Sequence, residues 1–188
     1  MAKLYFRYGT VCSAKTLNLL AVAHNYRQRG QRILLFKPEV DTRFGRDLIK
    51  TRAGLEAEAD LVVPATGPYN LPSLAGVVCI LVDEAQFLPP AFIDVLRELT
   101  YSAAPIPVIC YGLRTDFKCQ LFPAAQRLLE IADKIEEIKT TCHFCLQKAV
   151  FNLKLSAGKP VFSGPSIELG SDDKYVPVCA ACYSRKRR

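Results

Sequence analysis

The sequence lacks an apolar run long enough to cross a bilayer. Its longest, LAGVVCILV (residues 74–82), falls far short of the roughly 20 residues that a spanning helix needs. The opening MAKLYFRYG is strand-like and has neither the apolar region nor the small-residue cleavage site of a secretory signal. Internal repeats and low-complexity segments are also absent. These absences predict a globular, cytoplasmic protein. The length of 188 residues suits one good-sized domain, or one domain and a small satellite.

The positive charge is concentrated at one end of the chain. The formal net charge is +7, and the last four residues, Arg185 to Arg188, are all basic. A basic tail can bind nucleic acid, but so short a tail is more typical of a solvated terminus. We therefore expect no nucleic-acid partner.

The eight cysteines divide into two groups. Without a secretory signal, a disulfide framework is not expected, and Cys79 and Cys110 lie in apolar runs, where small buried side chains are predicted. CHFC and CAAC are two CxxC pairs, which together can hold a tetrahedral Zn²⁺ with no open coordination position. A redox-active CxxC is the alternative, but it does not explain two pairs. The predicted ligands of a structural zinc are Cys142, Cys145, Cys179 and Cys182.

Apolar strand-like segments alternate with helix-like segments over residues 1–140. This alternation predicts an α/β fold with a mainly parallel sheet covered by helices on both faces. In the first helix, Leu17, Leu20, Ala21 and His24 are expected to share a face. The strand-like segments are KLYFRYG, RILLFKP, VVCILVDEAQF, PVICYG and EEIKTT, and the helix-like segments are TLNLLAVAHNYRQRG, PPAFIDVLRELT and AAQRLLEIADKI.

The segment GTVCSAKT (residues 9–16) lies between the first strand and the first helix. It is close to the phosphate-loop pattern G-x-x-x-x-G-K-[ST], with Ala14 in place of the second glycine. In such a loop, backbone N–H groups and a helix N-terminus bind anionic oxygens, the lysine adds charge, and the threonine hydroxyl can bind Mg²⁺. A plain strand-to-helix turn is the alternative, and the strand–loop–helix context favours the phosphate loop.

Two carboxylates, Asp83 and Glu84, end the most apolar strand in the segment LVDEAQF. Ligands of open α/β sheets bind beyond the carboxyl ends of the strands. An acidic residue there can hold Mg²⁺ in a phosphoryl-transfer site, and a second can accept a proton from an attacking hydroxyl. The alternative is a helix-capping pair, which a neighbouring phosphate loop makes the weaker interpretation.

The α/β pattern gives way near residue 140 to cysteine pairs and short, turn-rich segments. We therefore predict an α/β domain over residues 1–140 and a small zinc-binding domain with a basic tail over residues 141–188. Between the cysteine pairs, SGPSIELGSDDKYVPVC (residues 163–179) contains glycines, acidic residues and Tyr175. A segment held at both ends can close over a substrate as a lid, although a decorative loop would have the same composition.

Six segments in order resemble the zinc-containing cytosolic thymidine kinases, the type II deoxynucleoside kinases. The resemblance covers essentially the whole chain and implies a P-loop-type α/β domain followed by a zinc-binding lasso domain. It also implies transfer of the γ-phosphate of ATP to the 5′-hydroxyl of thymidine, giving dTMP in nucleotide salvage. The segments are GTVCSAKT, LLFKPEVDTRF, DEAQF, YGLRTDF, ADKIEEIKTTCHFC and DKYVPVCAACY.

The resemblance implies a role for individual residues. Glu84 would be the general base, and Thr16 and Asp83 would serve Mg²⁺. The implied cofactors are ATP, Mg²⁺ and structural Zn²⁺, and the implied assembly is a homotetramer inhibited by dTTP in the substrate site. The implied ATP-binding residues are Gly9, Thr10, Val11, Cys12, Ser13, Ala14, Lys15, Thr16, Asp41 and Arg43, and the implied thymidine-binding residues are Phe87, Leu113, Phe117, Phe122 and Tyr175.

The chain departs from the family pattern chiefly in its loop. Val11 replaces a methionine, Cys12 replaces a phenylalanine or an asparagine, and Ala14 replaces a glycine. In the lasso, Ser171 replaces a glycine. A methyl group before the lysine is expected to crowd the loop. We therefore predict weak ATP binding that Ala14→Gly would tighten, unless Val11 and Cys12 provide the space.

Three functions stay open from the sequence. An active thymidine kinase is favoured by the retained Lys15, Thr16, Asp83 and Glu84. A catalytically impaired homologue, binding nucleotide or a protein partner in a regulatory role, is favoured by Ala14. A zinc-bearing nucleic-acid binder leaves DEAQF and YGLRTDF unexplained.

Overall fold

The computed structural model describes residues 1–166 and 175–187. The helices are α1 (Lys15–Gln28), α2 (Pro90–Leu99), α3 (Pro123–Ile131) and α4 (Ala180–Arg187), and a short 3₁₀ turn spans Ala85–Phe87. The strands are β1 (Leu4–Tyr8), β2 (Arg32–Pro38), β3 (Leu48–Lys50), β4 (Glu56–Glu58), β5 (Leu61–Val63), β6 (Val77–Val82), β7 (Val108–Gly112), β8 (Lys134–Glu137), β9 (Phe151–Ser156), β10 (Lys159–Val161) and β11 (Tyr175–Val178).

The main sheet has six parallel strands in the order β5-β2-β6-β7-β1-β8. Successive side chains of a strand point to opposite faces: Leu34 and Phe36 of β2 pack in the core that α2 and α3 cover. Ile33 and Leu35 pack on the other face, in the core that α1 covers. The predicted α/β fold, with helices on both faces, is confirmed.

The face of α1 that carries Leu17, Leu20, Ala21 and His24 is not the one that packs on the sheet. Leu17, Ala21 and His24 are exposed, whereas the buried apolar residues of the helix are Leu19, Leu20 and Ala23. Apolar side chains occur on most sides of α1, so their spacing alone does not identify the face that meets the sheet.

The boundary between α3 and β8 also differs from the sequence prediction, which continued the helix to residue 135 and began the strand at residue 136. The helix ends at Ile131, and the strand is Lys134–Glu137. The cause is tertiary: Asp133 pairs with Arg97 and accepts a hydrogen bond from the backbone N–H of Leu4 (2.7 Å). This contact directs the following residues into parallel pairing with β1.

Three smaller features were not predicted: strand β5, the β3–β4 hairpin, and an antiparallel sheet in the order β10-β9-β11. A separate core lies beneath this small sheet and includes Leu153, Val178 and Tyr183. The predicted domain boundary at residue 140 stays a prediction, and the departure at Ser171 lies outside the described residues. In the part of the chain that the structure describes, no helix is both long and apolar enough to cross a membrane.

Candidate active site

The loop between β1 and α1 is wrapped around the ammonium group of Lys15, the first residue of α1. Lys15 is 8% exposed, and its Nζ donates to the carbonyl oxygens of Thr10 (2.7 Å) and Gly9 (3.3 Å) and to Oγ of Ser13 (3.4 Å). Burial lowers the pKa of Lys15, although Glu84 and Asp83 act in the opposite direction. The ammonium therefore lies at the centre of the loop, beside two carboxylates.

Two non-glycine residues of this loop have a left-handed backbone. Cys12 and Ala14 both have φ of 60°, and the side chain of Ala14 is exposed. This conformation costs an L-residue with a Cβ roughly 1–2 kcal/mol. Gly9 has a different constraint, because a Cβ there would lie 2.3 Å from Oγ of Ser13 and 2.5 Å from the carbonyl oxygen of Ile138. Because the side chain of Ala14 is exposed, what is unfavourable about this residue is its left-handed backbone conformation.

The carboxylate of Asp83 lies at the carboxyl end of β6 and faces the start of α1. The Oγ1 of Thr16 donates to both carboxylate oxygens of Asp83, at 3.0 and 3.2 Å. Burial and the neighbouring charge of Glu84 raise the pKa of Asp83 to about 7, while Thr16 and Arg43 act against that rise. A hydroxyl and a carboxylate side by side are oxygen donors of the kind that Mg²⁺ prefers.

Glu84 is buried and held at both carboxylate oxygens. Oε1 accepts from Nη2 of Arg43 (2.5 Å), and Oε2 accepts from Nε2 of Gln86 (2.6 Å). Burial alone would raise the pKa of Glu84, but Arg43, Lys15 and Gln86 outweigh it and lower the pKa. Arg43 also pairs with Asp41 (2.7 Å), and the two carboxylates, together outweighing burial, raise its pKa. With φ of 48°, Glu84 is a second site of backbone strain, and such strain concentrates at functional positions.

Gln86 is a residue whose role the sequence analysis missed, although it lies within DEAQF. It is 2% exposed, and while Nε2 holds Glu84, Oε1 accepts from the backbone N–H of Leu113 (2.8 Å). A Cβ at Gly112 would lie 2.7 Å from the same Oε1, so the glycine makes room for the amide. Gln86 thus fixes Glu84 against the segment after β7.

A single cavity of about 370 Å³ joins the loop to Glu84 and to an aromatic wall. In that wall, the rings of Phe87 and Phe122 are in edge contact, with their centroids 5.6 Å apart. The ring centroids of Phe117 and Tyr175 are 6.1 Å apart. The structure therefore brings together most of the residues predicted for the ATP and thymidine sites, and their individual roles stay predictions. Those that line the cavity are Val11, Cys12, Ser13, Ala14, Lys15, Thr16, Arg43, Glu84, Phe87, Leu113, Phe117, Phe122 and Tyr175.

The four cysteines of the CxxC pairs form a separate cluster next to the small sheet. Their sulfur atoms all lie within 4.8 Å of one another, and Sγ of Cys145 is 3.6 Å from that of Cys179 and 3.7 Å from that of Cys182. Four thiolates at about 2.3 Å from a tetrahedral Zn²⁺ would be about 3.8 Å apart. Backbone N–H groups also point at the sulfurs of Cys142 and Cys179, each at 3.4 Å. The cluster fits a zinc ion.

The cysteine cluster contacts the cavity through Tyr183, which follows the last of these cysteines. Its hydroxyl donates to the carbonyl oxygen of Phe117 (2.8 Å). Phe151 and Phe162 pack against the ring of Tyr183, with centroids 5.3 and 5.5 Å away. The aromatic wall therefore receives direct support from the cysteine-bearing part of the chain.

The fold has a parallel sheet with a lysine-bearing loop between its first strand and first helix. Asp83, directly after β6, faces that loop. This arrangement is typical of P-loop nucleotide-binding proteins. Comparison with known proteins gives the family. The model of the family described as "Thymidine kinase" matches residues 2–183, and the chain belongs to that family.

Curated thymidine kinases match this chain along almost their whole length. The thymidine kinase of Streptococcus gordonii is 40% identical over 187 residues, covering 97% of this chain and 96% of the relative. That of Lactococcus lactis is 40% identical over 191 residues, covering 97% of each, and that of Lactobacillus johnsonii is 38% identical over 193 residues, covering 97% of this chain and 96% of the relative.

Proposed function

We propose that this protein is an active thymidine kinase that transfers the γ-phosphate of ATP to the 5′-hydroxyl of thymidine. The observation that carries the proposal is the shared cavity, in which the lysine-bearing loop, the buried Glu84 and an aromatic wall face the same space. Phosphoryl transfer needs chiefly a positioned nucleophile and positive charge near the phosphates. The family and its relatives supply the identity of the two substrates.

In the proposed mechanism, Lys15 and the backbone of residues 9–16 bind the phosphates, with Asp41 and Arg43 beside them. Glu84 accepts the proton of the 5′-hydroxyl, because its lowered pKa keeps it ionised at neutral pH. Arg43 and Gln86 fix the direction of its carboxylate. Phe117 packs against the base, and the aromatic residues around it exclude water from the reacting groups.

Two metal ions complete the proposal. The oxygen donors Thr16 and Asp83 would hold Mg²⁺, which neutralises charge on the phosphates when bound. The closed set of four thiolates would hold Zn²⁺ as a structural ion that fixes the small sheet.

The remaining expectations from the family resemblance are proposals as well. We propose a homotetramer in the cytoplasm, with dTTP acting as a feedback inhibitor in the thymidine site. We also propose that residues 141–188 form a separate lasso unit, since their cysteine cluster and small sheet share a core of their own.

The test is a coupled assay of the purified protein with ATP, Mg²⁺ and thymidine, read by ADP release and by chromatographic detection of dTMP. ADP release that depends on thymidine and appears with equimolar dTMP supports the proposal. ATP binding without any dTMP formation would contradict it and favour the impaired homologue. A panel of other nucleosides serves as the control for the identity of the acceptor.

Ala14→Gly is expected to stabilise the loop. Glycine removes the Cβ that disfavours the left-handed backbone, so the free energy of unfolding should rise by about 1 kcal/mol. The melting temperature should then rise by about 2–4 °C. A loop that adjusts more freely to the phosphates should also bind ATP about fivefold more tightly, measured by calorimetry.

Ala157→Gly is the matched control, since Ala157 has φ of 48° in the exposed turn between β9 and β10. It should raise the melting temperature similarly and leave ATP affinity unchanged. Equal ATP affinities for Ala14→Gly and the parent would show that the loop has adapted around its alanine. The main reason to expect an impaired kinase would then be gone.

Gln86→Leu is expected to lower turnover about 10- to 100-fold, because Glu84 loses a positioning contact and misplacement of a reacting group is costly. The N–H of Leu113 would also lose its acceptor, at a cost of about 1–3 kcal/mol in stability. Turnover and thermal unfolding are measured on the same preparation. Gln126→Leu, an exposed glutamine of α3, is the control, and a turnover loss no larger than in that control would remove Gln86 from the mechanism.

A further inference from the structure

Asn152 joins two parts of the cavity that are far apart in sequence. It lies in β9 and is 3% exposed. Its Oδ1 accepts a hydrogen bond from the backbone N–H of Val11 (2.9 Å), and its Nδ2 donates to the carbonyl oxygen of Thr115 (3.0 Å). We infer that Asn152 is a positioning residue that sets the nucleotide loop relative to the wall of the cavity. The inference rests on the proposed function only in taking ATP as the nucleotide.

The loop needs such support from outside. Strained backbone conformations persist only where the surrounding structure holds them, and this loop contains two left-handed non-glycine residues, Cys12 and Ala14. Lys15 holds the loop from within through the carbonyl oxygens of Gly9 and Thr10. Asn152 holds it from the other side, through the N–H that directly precedes the strained stretch.

The segment that Asn152 contacts at Thr115 is held by hydrogen bonds of its own. The backbone after Thr115 forms a tight turn, in which Oδ1 of Asp116 accepts from the N–H groups of Lys118 (2.8 Å) and Gln120 (2.9 Å). In the same turn, the carbonyl oxygen of Phe117 accepts a hydrogen bond from the hydroxyl of Tyr183. Asn152 therefore fastens the loop to a segment that has its own hydrogen bonds and belongs to the proposed thymidine pocket.

The strand pairing of the small sheet does not use the side chain of Asn152. Strand β9 is paired on both sides, with β10 and with β11, and the next residue, Leu153, is fully buried in the separate core. Replacing the amide should therefore release the loop and leave the sheet in place. This separation makes a positioning role distinguishable from a merely structural one.

The direct test is hydrogen exchange at the Val11 amide, followed by NMR or by mass spectrometry of peptides covering residues 9–16. In the parent protein this amide should be protected, and in Asn152→Leu it should exchange at least about tenfold faster, because a bond of about 1.4 kcal/mol corresponds to tenfold. The KM for ATP should rise by about the same factor. Asn152→Ser, which is polar but too short to span both partners, serves if the leucine variant does not fold.

Leu153→Val is the matched control, since it perturbs the same strand without touching the loop. It should lower the melting temperature and leave both Val11 exchange and the KM for ATP at parental values. An unprotected Val11 amide in the parent, or the same two changes in Leu153→Val, would overturn the inference. Exchange needs no substrate, so a parent protein that fails to phosphorylate thymidine would refute the proposed function and leave this result standing.

Discussion

Glu84→Gln is expected to lower turnover about 100- to 10,000-fold, because the variant keeps the shape of the side chain and loses the proton acceptor. The amide introduced by this substitution can still accept from Arg43 or Gln86 at its remaining oxygen, so the cavity should keep its form. Affinity for thymidine should change little, since the aromatic wall is untouched. Steady-state kinetics give the turnover, and calorimetry gives the thymidine affinity.

The matched control is Asp41→Asn, which removes the other carboxylate paired with Arg43 (2.7 Å). It separates the loss of a negative charge beside this arginine from the loss of the base. Asp41→Asn should affect the KM for ATP more than it affects turnover. Near-normal turnover in the Glu84 variant would mean that another group accepts the proton, and an equal loss in both variants would assign the effect to Arg43.

The second large effect is expected at the cysteine cluster. The purified protein should contain about one zinc per chain, and Cys142→Ser should lose it, because a neutral hydroxyl is a poor substitute for a thiolate. Loss of a structural metal can cost about 5 kcal/mol or more, which corresponds to a fall of roughly 10–20 °C in the melting temperature. Elemental analysis measures the zinc content, and thermal unfolding measures the change in melting temperature.

Hydrogen exchange locates the damage. The small sheet should lose protection first, while β6 and β7 at the centre of the main sheet should keep theirs. Cys12→Ser is the control, because Cys12 is an exposed cysteine outside the cluster, and this variant should retain its zinc. A parent protein that contains no zinc and instead has a disulfide between the two CxxC pairs would refute the structural-metal proposal.

Patterns contained within one stretch of chain predicted the structure well. The strand–loop–helix around Lys15 and the apolar strand ending at Asp83 could be identified because apolar runs and their terminal residues are local signals. The two CxxC pairs were equally clear, since each pair is a local turn with a defined chemistry. Cys79 and Cys110 are fully buried as predicted, because their apolar neighbours already place them in central strands.

Contacts between distant stretches could not be predicted in the same way. Nothing in the sequence around Gln86 indicates that its Oε1 meets the N–H of Leu113, and nothing around Asn152 indicates that it meets Val11. The prediction of where α3 ends was wrong for the same reason, because the hydrogen bond between Asp133 and the N–H of Leu4 joins residues 129 positions apart. Local propensity is a weak guide wherever tertiary hydrogen bonds decide the outcome.

The bond between Val11 and Asn152 also has a consequence for the order of events during synthesis. The two residues are 141 positions apart, so β1 and its loop leave the ribosome long before their partner has been made. Closing a contact across such a large sequence separation also costs conformational entropy, which grows with the length of the closed loop. The loop can therefore gain the support of Asn152 only after β9 has been synthesised, more than a hundred residues after the loop itself.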